Sequence, residues 1–90
     1  MRKADLVDAV AKKSGLTRKV AGQVVEAFME TVMEGLSKGE KVNLVGFGVF
    51  HVKTREARVG RNLQTGEEIQ IPARTVPAFK AGKSLREAVR

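Results

Sequence analysis

The sequence predicts an α+β fold with two N-terminal helices, a three-stranded antiparallel sheet with a long protruding β-arm, and a short C-terminal helix. Apolar residues recur at helical spacing up to about residue 38, and an alternating pattern replaces that spacing from Glu40 onward. The formal net charge of +7 is unevenly divided, because residues 1–45 hold eight basic and six acidic side chains whereas residues 46–90 hold nine and four. This basic balance indicates an anionic partner such as nucleic acid.

Length and composition limit the chain to one domain and exclude several protein classes. The 90 residues predict a single domain, 1–90, with a helical dimerisation part at about 1–45 and the sheet, arm and C-terminal helix at about 46–90. A domain this small buries little more than ~60% of its unfolded surface, so oligomerisation is a natural supplement. The absence of cysteine excludes disulfides and fits a reducing cytoplasm. No apolar run approaches ~18 residues and no signal-peptide core is present, so no membrane segment is expected.

The first two helices have recognisable ends. Lys3–Ser14 is predicted to be helical because its apolar side chains recur at helical spacing, and Gly15 is suited to end it in a left-handed conformation. Thr17 is a preferred N-cap residue. It predicts a second helix over residues 18–38, which Gly39 stops.

The second helix is apolar over more of its circumference than a surface helix requires. One stripe contains Val20, Val24, Phe28, Val32 and Leu36, and another contains Ala21, Val25, Met29 and Met33. A surface helix of a monomer needs only one such stripe, so we predict that two protomers pool their cores in a dimer. The predicted dimer core comprises Phe28, Val32, Leu36, Leu44, Phe47, Phe50 and Phe79. The alternative is a helix buried entirely under the sheet of its own chain.

The sheet is predicted from three short segments. Residues 40–45 alternate aliphatic with polar side chains, and Gly46 and Gly48 predict a tight turn into a second strand. A single return strand over residues 67–76 completes the predicted sheet. Pro72 lies within it and, lacking a backbone donor, belongs at an edge or a bulge.

The segment between the second and return strands is long, cationic and poor in apolar residues; residues 53–74 are here called the arm. Its tip is predicted to be a tight turn at residues 62–66. A strand rises ~3.3 Å per residue, so the 11 steps from Val52 to Leu63 extend roughly 36 Å. Because an isolated two-stranded ribbon is marginally stable in water, this length indicates closure on a polyanion. The cations of the arm are Lys53, Arg55, Arg58, Arg61 and Arg74. The alternative is a solvated hairpin whose charges only prevent edge pairing.

The C-terminal segment carries a second cluster of cations. Pro77, Phe79 and Gly82 are predicted to lead into a short helix, in which Ser84 and Glu87 match the S-x-x-E capping box. A helix start offers free N–H groups to phosphate oxygens. The nearby cations are Lys80, Lys83 and Arg86. We therefore predict a second phosphate-contact patch on the body of the protein.

The sequence offers little for catalysis. It holds one histidine, His51, which lies between Phe50 and Val52 and is interpreted as a strand residue at the surface. No G-x-S-x-G or P-loop pattern is present. We predict a protein that is not an enzyme and that uses no metal or cofactor.

Two motifs resemble those of a known family. The first is G-F-G-x-F, at Gly46 to Phe50, and the second is R-x-x-R-x-G-R-N-x-x-T-G, at Arg55 to Gly66. Together with F-K-x-G-K before the last helix, they resemble the bacterial histone-like HU and integration host factor family over the whole chain. The resemblance implies an intertwined dimer whose two arms enter the DNA minor groove and bend the duplex, as architectural minor-groove binders do.

The resemblance also implies roles for individual residues. On the arm it implies DNA contacts by Lys53, Arg55, Arg58, Arg61, Asn62, Leu63 and Arg74, and on the body it implies DNA-backbone contacts by Lys3, Lys80, Lys83 and Arg86. Two positions depart from the family pattern. Leu63 stands where the family usually has a proline that wedges between bases, and Ala81 stands where a proline often precedes Gly82. Leucine at position 63 predicts weaker or less sharply placed kinking of the DNA.

The sequence leaves one leading functional hypothesis and three alternatives to it. The leading hypothesis is a homodimer that bends and compacts double-stranded DNA in the nucleoid, largely without sequence preference and with a preference for nicked or junction DNA. A sequence-specific subunit like integration host factor, paired with a paralogue, is the nearest alternative. An RNA-binding protein fits the charge, but RNA modules usually present stacking aromatics, and three of the four phenylalanines fall at predicted core positions. A purely structural dimerisation module would leave the arm unexplained.

Overall fold

The computed structural model describes residues 1–90 as two compact units, Met1–Glu34 and Gly35–Arg90. Its helices are α1 (Lys3–Ser14), α2 (Arg18–Ser37) and α3 (Lys83–Ala88). Its strands are β1 (Val42–Leu44), β2 (Gly48–Arg55), β3 (Arg58–Arg61), β4 (Glu68–Ile71) and β5 (Arg74–Ala81). This is the predicted α+β order of elements, with the return strand divided in two.

Local hydrogen bonds set the ends of the first two helices where the sequence predicts them. The Asp5 carboxylate accepts a 2.8 Å hydrogen bond from the Arg2 backbone N–H at the start of α1. Gly15 ends α1 with φ 74° and donates to the Ala11 carbonyl at 3.0 Å. The Thr17 hydroxyl accepts a hydrogen bond from the Val20 N–H at 3.2 Å, which confirms Thr17 as the N-cap of α2.

The unit Met1–Glu34 buries only part of each apolar stripe of α2. Ala21 is fully buried and Val25 nearly so, and Gly22 lies close to the Val7 side chain of α1. By contrast, Val24 and Phe28 remain 48% and 47% exposed. α2 therefore leaves large apolar side chains exposed in the single chain.

Glycine ends α2 one residue before the predicted boundary. The helix closes at Ser37, because Gly39 adopts φ 78° and its N–H bonds to the Leu36 carbonyl at 3.0 Å. The Glu40 N–H reaches back to the Gly35 carbonyl at the same distance, completing a Schellman motif. The chain then enters β1.

The three-stranded sheet, here called the body sheet, has the antiparallel order β1-β2-β5. Gly46 adopts φ 85° in the turn between β1 and β2, and the Phe47 N–H donates to the Leu44 carbonyl at 2.9 Å. Three phenylalanines pack in this unit, with ring centroids 5.7 Å apart for Phe47 and Phe79 and 4.8 Å for Phe50 and Phe79. Gly48 makes this packing possible, since a Cβ there would lie 2.6 Å from Cε1 of Phe79.

The predicted return strand over residues 67–76 is wrong in both its continuity and its end. Pairing stops at Pro72, because proline has no N–H to donate to a ladder, and resumes at Arg74. The strand β5 then continues to Ala81, through the segment predicted to lead into the last helix. Pro77 is tolerated within β5 because β5 is an edge strand of the sheet.

The predicted capping box of the last helix is also wrong. α3 begins at Lys83 after Gly82, so Ser84 lies inside the helix rather than before it. The N–H groups of Ser84 and Leu85 donate to the Gly46 carbonyl at 3.0 and 3.4 Å. Since backbone from the β1–β2 turn already satisfies these donors, a side-chain cap is not required.

The predicted dimer core divides by burial. Val32 is buried within the chain itself, whereas Leu36, Leu44 and Phe50 are partly exposed. Phe47 and Phe79 are 48% and 42% exposed. Each unit thus leaves large apolar side chains unburied in the single chain.

Candidate nucleic-acid interface

The arm continues the hairpin of the body sheet after a short interruption. In the body sheet, Arg55 lies opposite Arg74, and three residues further along each strand Arg58 lies opposite Ile71. The register is therefore the same on both sides of a gap of two residues in each strand. We call residues 58–71 the distal ribbon, and residues 53–57 with residues 72–74 the root of the arm.

The tip of the distal ribbon is a closed turn that presents Leu63. The Asn62 N–H donates to the Glu67 carbonyl at 2.8 Å, and the Gly66 N–H donates to the Asn62 carbonyl at 2.7 Å. The Asn62 side-chain oxygen accepts a further bond from the Gln64 N–H at 2.9 Å. Leu63 is 96% exposed at this tip. These contacts confirm the predicted turn and leave one apolar side chain projecting into solvent.

Charge is distributed differently along the arm than the sequence alone suggested. The distal ribbon is formally neutral, because Arg58 and Arg61 are matched by Glu67 and Glu68. Arg61 lies directly opposite Glu68, an arrangement that stabilises an antiparallel pair. The positive charge lies instead at the root, where Arg55 faces Arg74 across the strands.

A small cavity of about 250 Å³ lies where the root meets the distal ribbon. It is lined by Arg55, Glu56, Arg58, Ile71, Pro72 and Arg74. All three arginines are exposed, and Ile71 is half-buried. Three of the five predicted arm cations thus meet at one place, whereas Lys53 lies on β2 and Arg61 on β3 outside the cavity.

The predicted body patch is only partly assembled. Lys80 and Arg86 line one cavity of about 320 Å³ beside Gly46 and Gly82, and Lys83 is the first residue of α3. The expectation that the α3 N-terminus offers free N–H groups to phosphate is wrong for Ser84 and Leu85, whose N–H groups bond to Gly46. The side-chain cations therefore carry this patch without help from those two donors.

Two further polar residues join these surfaces and were not predicted. Asn43 lines the cavity of Lys80 and Arg86, and its place among the polar positions of β1 could have indicated it. Lys19 is the second: in the unit Met1–Glu34 it lines a surface depression together with Lys3 and Glu26. Lys3 and Glu26 form an ion pair there. Lys3 is thus held by a carboxylate, which the sequence pattern did not reveal.

No group of three or more histidine, cysteine, aspartate or glutamate side chains is arranged to bind a metal ion. None of the helices combines the length and apolarity that crossing a membrane requires.

Comparison with known proteins assigns the family. The family model described as "Bacterial DNA-binding protein" matches residues 1–90. A protein named DNA-binding protein HU from Staphylococcus aureus (strain COL) is 58% identical over 90 residues, which cover all of both chains. One from Geobacillus stearothermophilus is 54% identical over the same complete length.

Solved structures agree with the sequence relatives. The structure "Anabaena HU-DNA cocrystal structure (AHU2)" has a TM-score of 0.89 at 54% identity, covering 99% of this chain and 97% of that one. HU from Thermotoga maritima has a TM-score of 0.70 at 36% identity, with both chains covered completely. The family is one of DNA-binding proteins, which confirms the prediction of a protein that is not an enzyme. With its fold, its motifs and its full-length relatives in agreement, this chain belongs to the bacterial histone-like HU family of DNA-binding proteins.

Proposed function

We propose that this protein is a homodimeric architectural protein that binds double-stranded DNA through the minor groove, bends and wraps it, and compacts it largely without sequence preference. The observation that carries the proposal is the similarity along the whole chain to an HU solved as a cocrystal with DNA. The exposed arm, with Leu63 at its tip and arginines at its root, has the chemistry that such binding requires.

The proposed DNA contacts fall into two groups. Cations neutralise phosphates and position the duplex, whereas Asn62 and Leu63 at the arm tip meet the base steps. The arm group is Lys53, Arg55, Arg58, Arg61, Asn62, Leu63 and Arg74, and the body group is Lys3, Lys80, Lys83 and Arg86. Lys3 joins the body group only after exchanging Glu26 for a phosphate.

Dimerisation is supported by the apolar surface that the single chain leaves uncovered. Phe28, Phe47 and Phe79 are all 42% to 48% exposed, and buried aromatic side chains contribute strongly to core stability. A second copy of the chain supplies a matching surface by symmetry. We propose residues 1–90 as one folding domain within this homodimer, because its two units have few buried side chains of their own.

The same features support weak sequence preference. No helix or strand presents a set of side chains suited to reading base edges in the major groove, and the arm cations address phosphates. Preference then follows the cost of deformation, which is lower at nicks, junctions and flexible steps. The reported relatives are HU proteins, which favours this function over a sequence-specific subunit like integration host factor. The protein acts, in this proposal, in the bacterial nucleoid.

Sizing and DNA titration test the proposal together. We expect a dimer by light scattering, and comparable gel shifts on unrelated duplexes with tighter binding to a nicked duplex. A protein that neutralises 6–10 phosphates loses about 10³–10⁵ in affinity between 50 and 200 mM salt. An RNA hairpin of equal length serves as the control ligand. Equal or tighter binding to the RNA, or a large preference for one intact DNA sequence, would contradict the proposed function.

A further inference from the structure

The root of the arm contains a destabilising arrangement that the DNA-binding proposal leaves unexplained. Arg55 and Arg74 lie directly opposite each other at the last pair of the β2–β5 ladder. Directly opposed side chains have Cβ atoms about 4.5–5.5 Å apart, and like charges in such positions are unfavourable. The other directly opposed pair of charges, Arg61 and Glu68 at the far end of the distal ribbon, is opposite in sign. The like-charged pair therefore lies specifically at the junction between body sheet and distal ribbon.

The junction is also where the ladder is interrupted. Glu56 and Ala57 on one strand and Pro72 and Ala73 on the other lie outside β2, β3, β4 and β5. Because the register resumes unchanged at Arg58 and Ile71, the ribbon can bend or twist here without its strands slipping. The interruption thus forms a hinge between two paired segments.

The hinge holds a cavity with the chemistry of a phosphate site. Arg55, Arg58 and Arg74 line it, and Glu56 is the one acidic residue among the lining side chains. In regular strand alternation, residues 55 and 58 point to opposite faces, so the interruption is what allows both to border one cavity. Its volume of about 250 Å³ lies below the roughly 300–1,000 Å³ typical of sites for drug-sized ligands. A single oxyanion suits this space, and arginine is well suited to bind one through paired hydrogen bonds.

We propose that the root of the arm is a phosphate-operated hinge, in which one phosphate group bound among Arg55, Arg58 and Arg74 offsets the Arg55/Arg74 repulsion and stiffens the arm. Glu56 occupies the same cavity as a competing internal anion. The inference rests on the proposed function, which supplies the phosphate as part of the DNA backbone, but the site itself recognises the anion and not the polymer. The arm then becomes ordered in the same step in which it contacts the DNA backbone.

Amide hydrogen exchange of the complete protein, without DNA, tests the hinge directly. The probe is inorganic phosphate, compared with chloride at equal ionic strength so that screening of the two arginines is matched. We expect exchange in β3 and β4 to be roughly threefold slower in phosphate, from the scale of a cross-strand charge pair. Arg74→Gln is expected to abolish this difference. Arg90→Gln removes the same charge at an exposed position outside the arm, the cavity and the proposed DNA contacts, and is expected to retain it.

Glu56→Gln supplies an independent variant that preserves all three arginines. Without its competing carboxylate, the hinge is expected to respond at lower phosphate concentration. Equal protection in chloride and phosphate, persistence of the phosphate effect in Arg74→Gln, or its unchanged concentration dependence in Glu56→Gln would each overturn the proposal.

A final comparison separates the hinge from DNA binding. If a short duplex protects β3 and β4 but inorganic phosphate does not, the hinge proposal fails and the proposed function stands. If inorganic phosphate protects the ribbon while gel shifts detect no duplex binding, the hinge stands and the proposed function fails.

Discussion

The distal ribbon and the body sheet belong to one hairpin and share one register, yet different forces hold them together. In the body sheet, the Phe50 and Phe79 rings lie 4.8 Å apart, and the glycine beside them leaves no space for a side chain. The distal ribbon has no aromatic residue. Gly60, Asn62 and Ile71 are half-buried, and its other residues are exposed. Its order comes from backbone pairing, the turn at its tip and the Arg61/Glu68 pair.

This difference separates folding from function along a single pair of strands. Side-chain packing stabilises the body sheet, so changes there should lower the free energy of unfolding. A two-stranded ribbon without such packing is marginal on its own. Changes in the distal ribbon should therefore alter DNA binding and local order while leaving global unfolding nearly unchanged.

Removing the distal ribbon should give the largest effect. Because Arg55 and Arg74 are register partners, replacing residues 56–73 with an Asn-Gly turn closes the hairpin at its root. The removed segment holds two basic and three acidic residues, so the formal net charge rises from +7 to +8. We nevertheless expect duplex affinity to fall by about 10³, because the contacts of Arg58 and Arg61 are lost and a hydrogen bond to a charged group contributes ~1.5–3 kcal/mol. Gel shifts at constant salt measure it.

The shortened variant also tests whether DNA binding depends on the net charge of the protein or on the presence of the arm. If net charge alone determined binding, the variant with higher charge would bind at least as tightly as the parent. Unchanged affinity and unchanged DNA curvature would therefore contradict the role given to the arm. Light scattering and thermal unfolding of the same variant are expected to match the parent, since the body sheet is intact.

Gly48→Ala tests the body side of the comparison. The added methyl group would lie 2.6 Å from Cε1 of Phe79 and 2.7 Å from the Lys80 carbonyl oxygen, neither of which can move freely. We expect a loss of about 2 kcal/mol in the free energy of unfolding, within the range for overpacked cores. Gly60→Ala in the distal ribbon is the matched control, because its methyl group would meet the flexible end of Ile71. Urea titrations should move the midpoint of Gly48→Ala alone; equal shifts in both variants would argue against the comparison.

Much of the fold was predictable from local chemistry. Thr17 and Gly15 marked helix ends through hydrogen bonds that involve near neighbours only. Asn62 and Gly66 likewise specified the tip turn, whose contacts span a few residues. At these positions the deciding interaction was local, and the sequence pattern and the structure agree.

Apart from the break at Pro72, the features that were missed depend on partners distant in sequence. Ser84 and Glu87 matched a capping pattern, but the Gly46 carbonyl already accepts bonds from the start of α3. The alternating residues of β5 were not recognised because their pairing partner, β2, lies across the whole arm. Similarly, the positive charge looked continuous along the sequence, and only the register shows that Arg61 faces Glu68 while Arg55 faces Arg74.

Gly66→Ala should loosen the arm without destabilising the body. Gly66 has φ 74°, and its Cβ position is open, so conformational strain alone opposes alanine. The expected cost is about 1 kcal/mol. Amide exchange in β3 and β4 should be about fivefold faster, because RT ≈ 0.59 kcal/mol converts that cost to such a factor, while the global unfolding midpoint stays the same. Gly66→Asn, which tolerates this conformation better, should show a smaller change. A shift of the global midpoint would show that the turn and the body sheet are coupled.

The smallest expected effect concerns the projecting residue at the arm tip. Leu63 is apolar and 96% exposed, so it can insert between base steps, but its side chain and backbone are less restricted than those of proline. The bond from Gln64 N–H to the Asn62 side chain does not involve the Leu63 N–H, so Leu63→Pro is expected to keep the turn. A more rigid backbone is worth ~0.4–1 kcal/mol, which corresponds to an affinity gain of about two- to fivefold. Ring closure of short DNA should rise with Leu63→Pro and fall with Leu63→Ala. Equal closure by all three proteins would mean that bending arises from the phosphate contacts at the root of the arm rather than from a wedge at its tip.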